Sequence, residues 1–262
     1  MDIRMFALKP PYPDESVAPA DLLQWAIETF GNRFALSTSF QIEGMVLLDM
    51  ASKLKMPFRV ITVDTGRLPE ETYKMIETVY QRYGIRVEIV VPDPAEVEAM
   101  VALHGPNLFY REVPMRMLCC RVRKTLPFER KLAELDAYAV GLRRSQNETR
   151  ASVPKVDASG PALKLAPLAD WTREQVKEYL TRNKVPRHPL YEDGYTSIGC
   201  APCTRAPEPG EPERAGRWWW EQDAPKECGL HFTPDGKVER RIDVLLREIR
   251  EVSQNRHVHC LK

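Results

Sequence analysis

The sequence predicts an α/β protein in which helices cover both faces of a mostly parallel sheet. Two observations predict this class. Short apolar runs alternate with stretches of helical periodicity, and each run ends in a polar turn that opens the next helix. Such an alternation is typical of parallel strands joined by helical crossovers. The 262 residues are enough for one large domain of this class and a tail.

Each element has its own local justification. Asp21 is a capping residue in front of an apolar helical face, and Gly31 is a stop signal after it. The strands are short apolar runs that end in turn residues, whereas the helices repeat apolar residues every three or four positions. The predicted helices cover residues 21–30, 43–53, 68–83, 119–135, 170–183 and 238–252, and the predicted strands cover 33–37, 58–63, 86–91, 137–141 and 163–168.

Composition divides the chain into three parts. Residues 1–20 are rich in proline and predict an arm without regular structure. Residues 21–204 carry the alternation of strands and helices. Residues 205–217 are rich in proline, glutamate and arginine, a composition that favours a mobile lid. We therefore treat residues 205–262 as a lid and C-terminal segment.

The charge balance excludes some classes of partner. The chain has 38 basic and 37 acidic residues, for a net charge of +1. No global field favours nucleic acid or an anionic membrane, so any anion site must be local. The sequence has neither a signal-peptide pattern nor a run of 18 apolar residues. We expect a cytoplasmic protein whose six cysteines are metal ligands or catalytic thiols.

Two cysteine pairs stand out. Cys119 and Cys120 are adjacent, and Cys200 and Cys203 form a second pair about eighty residues later. Four thiolates can close a structural metal site or hold an iron–sulfur cluster. The adjacent pair favours the cluster, because neighbouring helical residues point about 100° apart and suit separated corners. The alternative for the first pair is a buried thiol pair beside a solvated charged face.

Cations follow the first cysteine pair directly. On a helix, Lys124 lies one turn beyond Cys120, and Arg123 lies one turn beyond Cys119. This spacing predicts positive charge beside thiolate ligands.

A polar turn follows the first predicted strand. Ser37, Thr38 and Ser39 precede a helix N-terminus, where hydroxyls and backbone N–H groups can bind an anion. Such a turn can also merely cap its helix. Ligands bind beyond the carboxyl ends of parallel strands, so we predict that this turn lines the site.

The second and fourth strands end in turns of the same kind. Asp64, Thr65, Gly66 and Arg67 offer a carboxylate for a ribose hydroxyl or adenine amine and a guanidinium for a phosphate. A plain turn with a surface arginine is the alternative. At the fourth strand, the predicted site residues are Gly141, Arg143 and Arg144. The two arginines favour forked contacts with phosphate or sulfate over a solvated charge pair.

Taken together, these motifs resemble those of the assimilatory adenylylsulfate and phosphoadenylylsulfate reductases. The resemblance runs in order from about residue 20 to 232. It is carried by Ser37-Thr38-Ser39-Phe40, Asp64-Thr65-Gly66, Cys119-Cys120 with Lys124, Cys200-x-x-Cys203 and Glu227-Cys228-Gly229-Leu230-His231. It implies an adenine-nucleotide α-hydrolase-like fold. In the iron–sulfur type it also implies a [4Fe–4S] cluster on Cys119, Cys120, Cys200 and Cys203.

The resemblance implies a reaction as well. Adenosine 5′-phosphosulfate (APS) would be reduced to sulfite and AMP in sulfate assimilation and cysteine biosynthesis, with thioredoxin or glutaredoxin as thiol donor. Cys228 would be the nucleophile, because a thiolate suits attack on sulfur, and Lys226 and His231 could stabilise it. Cations must offset the charge of the substrate, and the available set is Lys124, Arg143, Arg144, Arg214 and Arg217. The cluster could orient Lys124 and shape the field, or it could transfer electrons.

Three other interpretations remain open. A phosphoadenylylsulfate (PAPS) reductase would differ by one or two basic side chains near the ribose. An ATP-pyrophosphatase-type sulfur-insertion enzyme would use a Ser-Gly-Gly-x-Asp-Ser turn, where this chain has Ser-Thr-Ser-Phe-Gln-Ile. An iron–sulfur or zinc redox sensor would explain the four ligands but not the anion turns.

The segment after the Cys228 motif departs from the family pattern. The motif normally lies near the chain end, whereas 34 residues follow it here. The predicted helix over 238–252 has an apolar stripe, and it could pack on the core, mediate homo-oligomerisation or restrain the lid. His257, His259 and Cys260 are either a metal-binding tail or an irregular end.

Overall fold

A six-stranded sheet forms the centre of the computed structural model, which describes residues 12–221 and 236–259. Its order is β3-β2-β1-β4-β6-β5. The strands are β1 (Phe34–Ser37), β2 (Arg59–Val63), β3 (Val87–Val90), β4 (Ala137–Val140), β5 (Val156–Asp157) and β6 (Leu163–Leu165). Every pairing is parallel except that of β5 with β6. The predicted fold class is confirmed.

Most of the helices lie between these strands in the sequence. They are α1 (Pro19–Phe30), α2 (Ile42–Lys53), α3 (Glu70–Tyr83), α4 (Pro94–His104), α5 (Val113–Cys120), α6 (Leu126–Leu132), α7 (Arg173–Arg182) and α8 (Gly236–His259). A π-helical turn, Arg121–Thr125, joins α5 to α6. No helix among the described residues is long and apolar enough to cross a membrane.

The first three side chains of β1 are all buried but belong to different apolar clusters, which shows that both faces of the sheet are covered. Phe34 and Leu36 of β1 belong to the main core with α1 and α2. Ala35, which points to the opposite face, belongs to a smaller cluster with Phe128 and Leu132 of α6. Each face of β1 is therefore dry, as a parallel strand requires.

A separate apolar cluster lies beside the sheet and involves the cysteines. It joins α4, α5 and α8 to Trp218, and it contains Cys203. Cys119, Cys120 and Cys200 pack against it. The extra C-terminal helix therefore packs on the body of the protein, one of the roles that the sequence left open.

Helix α4 was not predicted, and several bounds differ from expectation. Asp93 caps α4 by accepting the N–H groups of Ala95 and Glu96, with Pro94 in the first turn and Gly105 after the last. This capping signature was available in the sequence. Helix α1 begins at Pro19 rather than Asp21, because proline is well accommodated in a first turn. Strand β5 lies in a stretch without a predicted element, and α8 extends to His259.

The two segments predicted to lack regular structure make specific contacts. Glu15 of the arm pairs with Arg144 and accepts the N–H of Lys155. In the 205–217 segment, the Arg205 N–H donates to the Gly216 carbonyl at 3.0 Å, and Thr204 bridges to Arg217. These residues form an ordered turn against the core, and the mobility of the predicted lid stays a prediction.

Candidate active site

The order in which strands are added to the sheet reverses between the parallel neighbours β1 and β4. From β1 the chain goes through α2 to β2 and β3 on one side, whereas β4 leads to β6 and β5 on the other. Such a switch point leaves a crevice at the carboxyl ends of the two strands. A cleft with a cavity volume of about 190 Å³ lies there, and the ends of both strands line it.

Close backbone approach shapes this crevice. A Cβ on Gly141, directly after β4, would lie 2.7 Å from the Cβ of Glu43 and 2.8 Å from the backbone nitrogen of Gly44. A Cβ on Gly44 would lie 2.2 Å from the Thr38 hydroxyl. Real Cβ atoms do not tolerate such distances, so glycine at both positions allows the end of β4 to reach the start of α2.

The hydroxyl turn after β1 lies in the cleft as predicted. Ser37, Thr38 and Ser39 all line it. The Thr38 hydroxyl accepts the Phe40 N–H at 2.9 Å, and Phe40 has a positive φ of 58°. The turn therefore organises its own backbone, and its two serines flank the approach to the N-terminus of α2.

Three of the predicted cations line the cleft: Lys124, Arg214 and Arg217. Arg217 is 8% exposed, and its guanidinium carbon lies 4.5 Å from the ring centre of Trp218. A Cβ on Gly199 would lie 2.3 Å from an Arg217 nitrogen, so glycine makes room for this side chain. Among the described residues, the Arg217 Nε has no hydrogen-bond partner although it is buried. It is a donor that a bound anion could satisfy.

Arg143 and Arg144 are not among the cleft-lining residues. Arg143 is 1% exposed and donates to Glu43 at 2.8 Å, and it also bonds to Ser145 and Glu213. Arg144 bonds to Glu15 and to the Val153 carbonyl. Direct anion contact by these two arginines stays a prediction. Their carboxylate partners, Glu43, Glu213 and Glu15, lie far from them in the sequence, so sequence order does not reveal these contacts.

The turn after β2 is divided between two roles. Thr65 lines the cleft, whereas Asp64, Gly66 and Arg67 do not. Asp64 accepts the Tyr73 hydroxyl and the Gly66 N–H, so it closes its own turn. Arg67 donates to the Pro106 carbonyl and lies over the ring of Phe109. The ribose and phosphate roles of these three residues stay predictions.

The four predicted ligand cysteines come together. Cys119, Cys120, Cys200 and Cys203 line one small cavity, and none of these four is in a disulfide. This cysteine cavity shares Thr65, Cys120, Lys124, Cys200 and Cys203 with the cleft. The Thr65 hydroxyl lies 3.2 Å from the Cys200 sulfur. The two cavities are thus neighbours with a common wall.

Burial dominates the protonation of Cys119 and Cys203. It raises the pKa of the Cys119 thiol to about 11, and nearby Cys200 adds to this effect while Arg123 opposes it. It raises the pKa of Cys203 to about 12 in the same way, with Arg217 opposing. Without a metal these thiols are protonated at neutral pH, and a bound metal would displace their protons.

Local structure determines how the cysteine pair meets the turn after β2. The pair ends α5, and the π turn that follows aims Arg123 at the Thr65 carbonyl, at 2.9 Å. The Ala201 N–H donates to the Arg67 carbonyl at 2.8 Å, and this bond fixes the second pair to the same turn. Residues from three distant segments are thus held together by hydrogen bonds to the backbone carbonyls of the turn after β2.

The donor set fits an iron–sulfur cluster. Four thiols from two segments surround one apolar space, and Arg67, Arg116, Arg123 and Lys124 also line it. In the described part of the chain, no three His, Cys, Asp or Glu side chains converge as a single metal ion requires. Cluster ligation asks for thiolates around a common space rather than at one point.

The sequence analysis did not single out several polar and charged residues of the cleft. Glu43, Gln146, Arg150 and Glu213 all line it. Burial raises the pKa of Glu213, against the effect of Arg173 and Arg143. Glu43 follows the hydroxyl turn by a few residues, but a carboxylate is not a group that an anion site would use, so its place in the cleft was not expected.

Some predicted site residues lie outside the described part of the chain. They are Cys228 and His231, together with Cys260 and the side chains of His257 and His259. Their predicted roles rest on the sequence.

The topology, the switch-point cleft and the glycine contacts define a protein with the adenine-nucleotide α-hydrolase-like fold. Residues 33–206 match the phosphoadenosine phosphosulfate reductase domain. The chain belongs to this reductase family.

Named relatives agree with that membership. The chain is 44% identical over 221 residues to adenosine 5′-phosphosulfate reductase of Allochromatium vinosum, covering 84% of this chain and 86% of the relative. It is 43% identical over 203 residues to the enzyme of the same name from Agrobacterium fabrum, covering 77% and 78%. A crystal structure of PAPS reductase from Candida auris matches with a TM-score of 0.62 at 32% identity, covering 72% of this chain and 91% of that one.

Proposed function

We propose that this protein reduces APS to sulfite and AMP with a thioredoxin-type thiol donor. One observation carries the proposal. The cationic cleft at the switch point shares a wall with a cavity lined by four cysteines, in a chain of the reductase family. A cationic nucleotide site directly beside four thiols is what the iron–sulfur type of this family would use.

In the proposed reaction the thiolate of Cys228 attacks the sulfate sulfur. The bond from sulfur to the bridging phosphate oxygen breaks, and AMP leaves with that electron pair. The product on the enzyme is a Cys228 thiosulfonate. A thiolate of the donor then attacks the Cys228 sulfur and expels sulfite, and the second thiol of the donor resolves the mixed disulfide.

Charge is the main obstacle to this attack. Two like charges at 4 Å repel by about 1 kcal/mol in water and by about 4 kcal/mol at an effective dielectric near 20. The thiolate must approach a sulfonate joined to a phosphate, so several such terms add up. Lys124, Arg214 and Arg217 line the cleft, and we assign them the role of offsetting this charge.

The four cysteines would hold a [4Fe–4S] cluster through one thiolate each. When bound, the cluster supplies metal charge and polarisable sulfur beside the cleft. Arg123 and Lys124 line the cysteine cavity, and Lys124 also lines the cleft. We assign Lys124 the task of presenting its ammonium group to the sulfate end of the nucleotide.

The proposed substrate is APS rather than its 3′-phosphorylated form. The curated relatives at 43–44% identity carry the APS reductase name, whereas the solved PAPS reductase is 32% identical.

The proposal is tested by replacing Cys228 with serine. We expect sulfite release to fall by at least about 10³-fold, because a hydroxyl is a far weaker nucleophile toward sulfur at neutral pH. Protein purified without air is given APS and reduced thioredoxin, and sulfite is measured. Without the donor, the wild type should gain the mass of one sulfo group and Cys228→Ser should not.

Cys260→Ser is the matched control, because this cysteine also lies in the C-terminal part of the chain. It should retain wild-type turnover and the sulfo adduct. Appreciable sulfite release by Cys228→Ser, or loss of the adduct in Cys260→Ser alone, would refute the assignment.

A further inference from the structure

Helix α8 packs against the helix that carries the cysteine pair. Its Ile242, Leu246 and Ile249 are 7%, 6% and 0% exposed. They belong to the same apolar cluster as Met117 and Leu118 of α5. The positions are spaced by three and four residues and so form one helical stripe.

Each of the four cysteines belongs to this apolar cluster or packs against it. Cys203 is part of it, and Cys119, Cys120 and Cys200 pack against it. Phe109, another member, lines the cysteine cavity directly. The stripe of α8 therefore closes the outer side of the apolar layer that surrounds the four thiols.

Two ion pairs fix α8 in this position. Arg241 donates to Glu112, the residue before α5, at 3.0 Å. Arg250 donates to Glu96 in the first turn of α4 at 3.2 Å. The helix is thus attached near both ends of its apolar stripe and to both helices beneath it. The opposite face is open, as the 44% exposure of Val244 shows.

We propose that α8 covers the four-cysteine site on the side of α4 and α5 and keeps water and oxidants from reaching it through that side. The inference rests on the cluster assigned under the proposed function. Solvent exposure is one of the factors that set the stability and potential of iron–sulfur centres. If α8 is displaced, the apolar layer over α4 and α5 is exposed, and small oxidants reach the cluster through it.

The test places a charge on the buried face of α8 and keeps the helix in the chain. Ile249→Asp buries a carboxylate in the apolar stripe and displaces α8. Val244→Asp adds the same charge on the exposed face of the same helix and is the matched control. Protein loaded with cluster without air is exposed to air, and the loss of its visible iron–thiolate absorbance is followed. Neither nucleotide nor thiol donor is present.

We expect Ile249→Asp to lose its cluster roughly tenfold faster than the wild type, which corresponds to about 1.4 kcal/mol of docking free energy. Val244→Asp should decay at the wild-type rate. Equal decay of all three proteins would overturn the cover.

A charge exchange provides a second test if Ile249→Asp does not fold. Arg241→Glu should speed cluster loss about twofold, and the double variant Glu112→Arg, Arg241→Glu should restore the wild-type rate. Wild-type decay in both variants would overturn the inference. If the wild-type protein carries neither iron nor the visible iron–thiolate absorbance, the cluster assignment itself is wrong. If the loaded variants lose their cluster at the wild-type rate, the cover is wrong and the proposed reaction is unaffected.

Discussion

At the scale of single residues, buried polar groups with specific partners shape the region around the cleft. Glu43 is 4% exposed and is held by the guanidinium of Arg143. Removing one member of such a pair leaves the other charge buried without its partner. The Arg143 side chain therefore supports the wall of the cleft through Glu43. This role is structural, and it explains why a buried arginine follows the fourth strand.

His188 makes a prediction about stability and pH. It is fully buried, its Nε2 lies 3.0 Å from the Thr72 hydroxyl, and burial lowers its pKa to about 4, with Glu71 opposing the shift. The unfolded state binds a proton below about pH 6.5, whereas the folded state binds one only near pH 4. Acid therefore favours unfolding between these values. We expect the free energy of unfolding to be about 2 kcal/mol lower at pH 5 than at pH 7.

Urea unfolding at both pH values measures this difference. His188→Asn should be less stable at pH 7, but its stability should change little between pH 7 and pH 5. Acidic groups with a depressed pKa, such as Asp157 at about 2, lose their contribution at lower pH. The pKa of Glu213 is raised by burial, but this group is common to both proteins and cancels in the comparison. An unchanged pH slope in the asparagine variant would contradict the prediction.

At the scale of elements, one buried ion pair connects α5 to the segment that follows the second cysteine pair. Arg116 of α5 donates to both carboxylate oxygens of Glu221, at 3.0 and 2.9 Å, and both side chains are almost fully buried. The Arg116 guanidinium carbon also lies 4.6 Å from the ring centre of Trp218. This contact fixes the segment that leads toward Cys228 to the helix that carries Cys119 and Cys120.

Breaking this pair on one side should be costly. We expect Glu221→Ala to lower the free energy of unfolding by about 3–5 kcal/mol, because Arg116 is left buried without its carboxylate. The double variant Arg116→Met, Glu221→Leu removes both charges at similar volume and should recover most of that loss. Denaturant unfolding of the metal-free proteins measures both effects.

The charge-free double variant is the control for packing. If it is as unstable as Glu221→Ala, the loss reflects packing and the electrostatic explanation is wrong. Val244→Ala, at an exposed position of α8, should stay within about 0.5 kcal/mol of the wild type.

At the scale of the whole molecule, the cysteine site joins parts of the chain that are about eighty residues apart. The α5 region and the 200–221 region otherwise meet through the buried Arg116–Glu221 ion pair and the apolar cluster around Trp218. A shared cluster would cross-link the two regions and reduce the conformational freedom of the unfolded chain. For a closed loop of this length, the entropic stabilisation is about 4 kcal/mol.

Removing the cluster should therefore destabilise the entire protein. We expect chelation of iron under reducing conditions to lower Tm by roughly 10 °C, since each 1 kcal/mol shifts Tm by about 2–4 °C at this size. Calorimetry before and after chelation measures the shift. Cys203→Ser, prepared without a cluster, should melt like the chelated wild type and should not respond to chelation. An unchanged Tm after iron loss would contradict the cross-link.

Local signals predicted most of the elements and several site residues. Alternation of apolar runs and helical stripes predicted the parallel sheet, and chain order placed Ser37, Thr65 and Gly141 at its carboxyl edge. The spacing of the four cysteines and Lys124 predicted a thiol site with a cation beside it, and all five line the cysteine cavity. Each strand, turn and cysteine pair depends on neighbours within a few residues, which sequence displays directly. That the two pairs share one site was predicted from the ligand chemistry of four thiols.

Long-range contacts decided the remaining features. Sequence could not show that Arg143 pairs with Glu43, that Glu213 enters the cleft, or that α8 covers the cysteine helix, because the partners lie far apart in the chain. Short-range periodicity and turn chemistry were thus enough for the sheet, most of its helices and the residue types of the site. Only the folded chain decided which cations line the cleft and which pair with a carboxylate, because the partner of a charged side chain is the group nearest to it in space.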